Sequence, residues 1–512
     1  MAEIIFSGGL NEQDDTKVKP EECTRGYNFE LSQDNTHFRN RKAFDLIGTA
    51  TNAGAIRGFI QLVKSDGTET TLIQAGNTVY QWDGASTFTS KGTVANGLLR
   101  GVTWSLGGYA VIVDVESTAN NVVKKWDGTT FGNLTTGLGN ALYARYAVVY
   151  LGRVWLLNVK CGTATPHLMV ASAYENPESY DTAVAAKDDS FTTGNEAFYM
   201  VSPDLQPING AVVFFDTLLI STEGGRIFKL TGSDSTDFAW EPFYTGSASI
   251  GFETMASVGN DVVYMRKGGV IESMAAVQAY GDVKTDDVSR WIPNLIIGRT
   301  SCITVYDQDR DKVYFFNSDN GDVLVLFKPL LNSGLSPWGR YRTSHASSFS
   351  TLAAIYMRAP GTTDYYVFWG DGSGNIYRME GTGNGDAGTE DIEVFRRTAY
   401  LDKFSTETNR IRGRVEYKRV ADADLIMEFE WSDDYSITSC TVPLEGPPVG
   451  DPGNYFGGSA YFGGDFYFNT GFFFSERIST KGFSPVGRGP GFYLSMSVST
   501  NQNIDILKIR DA

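Results

Sequence analysis

The 512-residue chain carries 43 Lys and Arg against 60 Asp and Glu, a net charge of −17, and spreads only 20% charged residues among 56 Gly, 26 Tyr and 32 Phe. Surplus carboxylates oppose phosphate neutralisation, which excludes a tight nucleic-acid clamp, although a polyanion can pass an acidic wall without sticking. The length calls for about three domains, or for one large repeat domain with appendages. Abundant Gly and aromatics favour turn-rich β structure.

In chain order, MAEIIFSGGLNEQDD lacks a basic segment followed by a long apolar run, which argues against a secretory leader. Residues 1–54 read as an N-terminal arm with entry strands. From 55 to 380, short alternating runs are separated by Gly, Asn or Asp, as in TTLIQAG followed by NTVYQWDG and GYAVIVDV followed by NNVVKKWDG. These are hairpin signals. The most membrane-like window, ALYARYAVVYLGRVWLLNV at 141–159, contains Arg145 and Arg153 and is barely long enough to span. It reads as two strands joined by Leu-Gly, and no stable membrane insertion is expected.

Taking the second strand of each hairpin as a marker, Tyr80, Lys124, Phe228, Ile271, Leu324 and Ile376 stand 44, 104, 43, 53 and 52 residues apart. The 104 is about two units, with a weaker unit near 150–181. This spacing predicts an all-β fold, a β-propeller of six or seven blades. A string of unrelated hairpins in β-sandwiches is the competing reading. KTDDVSRWIPNLI at 284–296 predicts one short element capped by Asp286 or Asp287, with Pro293 breaking or kinking it. Residues 381–392 read as a linker, and 393–512 as a C-terminal β-sandwich-like docking domain.

The echo of VYQWDGASTF at 79–88 in VKKWDGTTF at 123–131 marks the module. Asp83 with Gly84, and Asp127 with Gly128, are expected in tight turns, and Trp82 and Trp126 between neighbouring blades. Chemistry is less well signalled. His37, His167 and His345 are the only histidines, and no GxSxG frames a serine. GDGSGN at 370–375 reads as a hairpin turn and not as a phosphate loop. Asp307, Asp309 and Asp311 alternate as in a calcium loop but lack its central Gly and terminal Glu. Cys23, Cys161, Cys302 and Cys440 are scattered, without zinc spacing. No catalytic residue, metal or cofactor is assigned. The alternative of a propeller glycosidase or glycan-binding protein rests on plentiful carboxylates, but SDNGDVLVLF at 318–327 departs from the sialidase Asp-box. In YFGGSAYFGGDFYFNTGFFF at 455–474, Tyr455, Phe456, Tyr461, Phe462 and Phe466 are candidate interface residues, because so dense an aromatic run calls for burial in a core or a partner.

The phrases GGLNEQDDTKVKPEECTRGYNFEL, DLIGTATNAGAIRGFIQLV, QAGNTVYQWDG, YLGRVWLLNV with TPHLMVASAYENPESYD, and VVFFDTLLISTEGGRIFKLTGSD through SVGNDVVYMRKGGVIESM to AYGDVKTDDVSRWI resemble virion proteins of tailed bacteriophages. In overall plan the chain resembles the tail nozzle family of short-tailed phages, also called tail tubular protein B or tail stabilisation protein. The resemblance covers most of the first 300 residues. It implies a propeller subunit, six copies in a ring below the portal and adaptor rings, a channel through which viral DNA leaves, contacts to tail fibres or spikes, and a place in the virion after assembly in the bacterial cytoplasm. Another phage tail adaptor subunit is the variant reading. The family has no catalytic motif to carry over, and the YFGG repeat departs from its pattern.

Overall fold

A computed structural model describes residues 4–511 apart from 182–192, 445–477 and stretches of six residues or fewer, among them 32–37, 277–282 and 344–348. Seven antiparallel sheets follow one another along the chain, at 56–93, 99–133, 142–201, 208–245, 255–287, 303–341 and 353–378. Six have four strands, and the third has five because Phe198–Val201 pairs beside Asn176–Tyr180 on the same long strand, Thr163–Ala173. Consecutive strands pair within each sheet, and the first two strands of each are joined by a short turn, as Gly- and Asn-punctuated hydrophobic runs dictate.

The first strand of each sheet faces the first strands on both sides. Ile56–Val63, Leu99–Trp104, Leu142–Tyr150, Ile208–Phe214, Met255–Ser257, Ile303–Asp307 and Ala353–Arg358 touch in succession, and the last touches the first. That closed ring of seven makes the fold a seven-bladed β-propeller. Closure uses sequence from the far end, since Asp45–Thr49 supplies the fourth strand of blade 7. Thr49 Oγ1 donates to Asn375 Oδ1 at 2.8 Å, and the Ala50 amide donates to the Gly374 carbonyl at 2.9 Å. Composition assigns 45–49 to the arm. The structure gives it to a blade, because the last meander supplies only three strands of its own.

Cores lie between blades. One joins Trp155, Leu157 and Met169 of blade 3 to Ile208, Leu218 and Ile220 of blade 4. Another joins Phe214, Leu219 and Ile227 of blade 4 to Met255, Val262 and Tyr264 of blade 5. Leu151 and Gly152 form the two-residue turn between Leu142–Tyr150 and Arg153–Cys161, within the apolar window at 141–159. Asp287 caps a 3-10 turn at Val288–Trp291 by accepting from the Ser289 amide, and a four-residue helix, Pro293–Ile296, begins afresh at the proline.

The chain divides into two compact units. One comprises 46–323 and 346–379; the other comprises 1–45, 324–345 and 380–512, so the boundary runs through the sixth sheet. The second unit contains two six-stranded antiparallel sheets. One orders Phe29–Leu31, Phe38–Asn40, Asp505–Asp511, Gly413–Lys418 and Ile478–Phe483, with Ile4–Ile5 also pairing Asp505–Asp511; the other orders Cys23–Tyr27, Ile392–Thr398, Gly491–Thr500, Ala423–Trp431 and Ile437–Leu444, with Leu401–Asp402 also pairing Gly491–Thr500. Leu425, Met427, Phe429, Leu494 and Met496 are buried on one face of the latter, at the period of two that a half-buried sheet requires. This sandwich-like unit differs from a purely C-terminal domain beginning at 393, since strands from residues 1–45 complete both sheets. The stretch expected as a linker, 381–392, is partly core: Asp386 is 1% exposed and receives hydrogen bonds from Arg41, Thr343 and the Phe44 amide.

Candidate functional site

The two Trp-Asp-Gly stretches occupy equivalent places, at the turn between the third and fourth strands of blades 1 and 2. Asp83 Oδ1 accepts from the amides of Ala85 and Thr87 at 2.8 and 3.1 Å, and Asp127 Oδ1 from those of Thr129 and Thr130 at 2.8 and 2.7 Å. Gly84 and Gly128 sit at φ +91° and +95°, where only glycine is unstrained. The Thr87 hydroxyl, with the Ala85 and Thr87 amides, holds the Asp83 carboxyl below its ordinary pKa. For Asp127 slight burial works the other way, but the Thr130 and Thr129 amides and the charges of Lys125 and Lys64 still bring it down. Trp82 packs edge-on to Phe368 of blade 7 with centroids 5.7 Å apart, and its indole N–H donates to the Ala85 carbonyl. Trp126 lies among Ile60, Leu62, Leu72 and Val79 of blade 1 and donates to Thr70 Oγ1 at 2.9 Å. These carboxylates are consumed in turn geometry, and the indoles cement neighbouring blades.

The propeller axis holds a cavity of about 230 Å³, lined from the first strands by Phe59, Arg100, Tyr146, Ile303 and Ile355, and by Phe252 and Glu253 of a single 3-10 turn. Arg100 dominates its polarity. The guanidinium donates to Glu253 Oε1 at 2.5 Å and to the carbonyls of Arg57, Leu99 and Leu352 at 2.7, 2.9 and 2.7 Å, which ties blades 1, 2 and 7 to the turn before blade 5. Tyr146 stacks on Phe252 with centroids 4.5 Å apart. Burial, and then Glu253, pushes the Tyr146 phenol well above its ordinary pKa, so it remains a neutral hydroxyl. Glu253 is the single carboxylate among the lining residues and is already paired. The arrangement therefore offers a plug of ion pair and aromatic rings, and does not offer the two separated carboxylates of a glycosidase.

Sequence reasoning did not single out Arg100, Tyr146, Phe252 or Glu253. The available signal was a charge at the second position of the short strand LRGVTW, which is informative only once that strand is known to face an axis. Asp307 is fully buried and accepts from the amide and guanidinium of Arg310, while Asp311 accepts from the Tyr306 hydroxyl. Two of the three alternating carboxylates are thus engaged by neighbouring protein groups. Asp371 accepts from the amides of Ser373 and Asn375 and from the hydroxyl of Tyr377, so GDGSGN is a pinned hairpin turn. His167 is half-buried on a strand; His37 and His345 lie outside the described residues. So do Tyr455, Phe456, Tyr461, Phe462 and Phe466. Cys23, Cys161, Cys302 and Cys440 are free thiols. Among the described residues no helix is long and apolar enough to cross a membrane, and no cluster of His, Cys, Asp and Glu has the makings of a metal site.

No family model matches the chain, and no curated protein does either. Solved structures with a similar trace include BBS1N in complex with ARL6DN, at 9% identity and a TM-score of 0.42 over 67% of this chain and 98% of that one. YCF48 bound to D1 peptide follows at 12% and 0.38, over 66% of this chain and 97% of that one. The WD40 domain of Toxoplasma gondii coronin stands at 10% and 0.38, over 70% and 87%. The propeller assignment stands on the strand order and ring closure above.

Proposed function

We propose that this chain is a structural subunit of the tail nozzle of a short-tailed bacteriophage, a non-enzymatic virion protein that assembles into a homohexameric ring below the portal and adaptor rings and forms part of the conduit for DNA ejection. The observation that carries the reading is the set of nozzle-like phrases in the first 300 residues. They coincide with framework elements: QAGNTVYQWDG with the second and third strands of blade 1, YLGRVWLLNV with the hairpin of blade 3, and VVFFDTLLISTEGGRIFKLTG with the first three strands of blade 4. A rigid closed propeller suits a ring under internal pressure, and net acidity suits a wall that must release a polyanion.

The axial cavity adds a constraint to this reading. At about 230 Å³, crossed by the Arg100–Glu253 pair, it cannot admit a duplex whose major groove alone is about 12 Å wide. A DNA conduit would lie between subunits, with the propellers arranged around it. Electron microscopy of the purified protein tests the proposal. The expected result is a six-fold ring with its hole between propellers; a monomer at all concentrations, or binding and cleavage of glycans by that monomer, would overturn it.

A further inference from the structure

Large apolar side chains stand exposed at one end of the propeller, at equivalent turns of adjacent blades. The turn between first and second strands carries Leu106 in blade 2, Leu151 in blade 3 and Phe215 in blade 4, at 68%, 41% and 57% exposure. Tyr174, 43% exposed, joins them from the turn between the third and fourth strands of blade 3 and lies against Gly152, where an added Cβ would come within 2.5 Å of its ring. The blade 3 and blade 4 turns adjoin, since the Tyr150 hydroxyl donates to the Asp216 carbonyl at 2.9 Å.

Two of these residues occupy a backbone conformation that disfavours them. Leu151 and Phe215 sit at φ +46° and +48° in two-residue hairpin turns, positions where Gly, Asn or Asp is the unstrained choice. A bulky apolar residue there gains little from the fold: Phe215 packs on Phe214 with centroids 4.6 Å apart but stays 57% exposed.

The charges beside Leu151, Tyr174 and Phe215 have one sign, whereas Lys64 lies against the Leu106 turn and Lys125 over the Tyr109 ring that follows it. Glu175 follows Tyr174, Asp216 follows Phe215, and Asp237 lies in the outer turn of blade 4; all three are exposed. That outer turn is joined to the Tyr174 turn through Ser235, whose amide donates to the Gly194 carbonyl, and through Asn195, which receives the Tyr174 amide. Beneath Tyr174, Arg153 is buried and committed to the carbonyls of Ser172, Gly194 and Glu196. We infer that the end of blades 3 and 4 bearing Leu151, Tyr174 and Phe215 is a docking surface for a partner protein segment that presents apolar side chains flanked by Lys or Arg. Charge selects the occupant. The apolar centre supplies binding through burial, and the rim of Glu175, Asp216 and Asp237 selects a basic segment over a second copy of this chain, which carries a net charge of −17. The inference does not depend on the ring proposed above.

A random twelve-residue peptide library displayed for selection against the intact protein is the test, with Leu151→Asn/Phe215→Asn as the counter-target. Asn accepts positive φ, so the double variant removes the patch without loss of fold, and its melting temperature is expected to equal or exceed that of the parent. Enriched peptides should combine aromatic or aliphatic residues with Lys or Arg, and bind the double variant at least tenfold more weakly. Glu175→Gln/Asp216→Asn should weaken the same peptides and flatten their salt dependence. The inference is overturned if no peptide is enriched, if the enriched peptides are neutral or acidic, or if they bind the double variant as well as the parent. An oligomer of the parent that the double variant dissolves would place a second copy on this face and overturn it equally.

Discussion

At the scale of single residues, the largest electrostatic commitment is Arg41. It is 1% exposed, and its guanidinium reaches Asp386 through both terminal nitrogens, Asn28 Oδ1 at 2.9 Å, and the carbonyls of Lys42 and Arg342 at 3.0 and 2.9 Å. Removing one partner strands the other charge, so Arg41→Met should cost about 3–5 kcal/mol in urea unfolding, whereas exposed pairs such as Arg290 with Asp286 should cost less than about 1 kcal/mol. None of this is legible in the sequence, because 345 positions separate the partners and Asp386 stands in a Gly-rich acidic run that reads as solvated linker. The thiols behave in the opposite way, as their scattered spacing already suggests. Burial pushes Cys23 up to about 11, with Arg396 opposing it, and Cys302 up to about 12. A raised thiol pKa means that the folded protein keeps protons which the unfolded chain releases from about pH 9, so stability falls as pH rises between 9 and 11, by about 1.4 kcal/mol per unit for each thiol. Urea midpoints at pH 8 and pH 10 check the sign, and a thiol reagent at pH 8 should leave both cysteines unmodified until the protein unfolds.

At the scale of elements, the Trp-Asp-Gly turn shows how much a local code reveals. Asp followed by Gly at a strand end specifies a turn through chemistry confined to four or five residues, which is why its geometry can be read without tertiary information. What the code omits is the neighbour. Gly84 and Gly128 share a backbone conformation, yet a Cβ on Gly84 would lie 2.6 Å from Pro360 Cβ, while on Gly128 it would meet only the tip of Lys64 at 3.1 Å. Gly128→Ala should therefore cost about 1–2 kcal/mol, the price of left-handed backbone alone. Gly84→Ala adds a clash with a rigid ring and should cost at least about 2 kcal/mol. Parallel thermal melts of the two variants measure the difference, and equal losses would show that the blade 1 turn has room to move. The same limit applies to Arg100: the short run LRGVTW reads as a strand, but which face looks down an axis depends on seven strands meeting.

At the scale of the molecule, hairpin spacing carries the propeller because blades are modular, and each meander repeats the same short-range chemistry over 26 to 60 residues. Closure is not modular. The strand that completes blade 7 lies about 330 positions from its partner, Asn375–Arg378, and looks like arm sequence because a four-to-five-residue edge strand needs no more than DLIGT. The same long-range economy hides the second unit, whose two sheets each recruit strands from the first 40 residues. These facts set the consequence of truncation. Deleting residues 1–50 removes the fourth strand of blade 7, the bonds from Thr49 and Ala50 to the 374–375 turn, and the outer strands of both sandwich-like sheets. Each blade would retain its own hairpins, so circular dichroism should still report β structure. The ring would have an open seam between blades 7 and 1, where Trp82, Ile73, Phe368 and Ile376 now share a core. Unfolding should then broaden and lose cooperativity, and amide exchange should rise first in 353–378 and 56–82. Uniform exchange across all seven blades would mean that the ring opens as one body and that the N-terminal strand locks no particular seam.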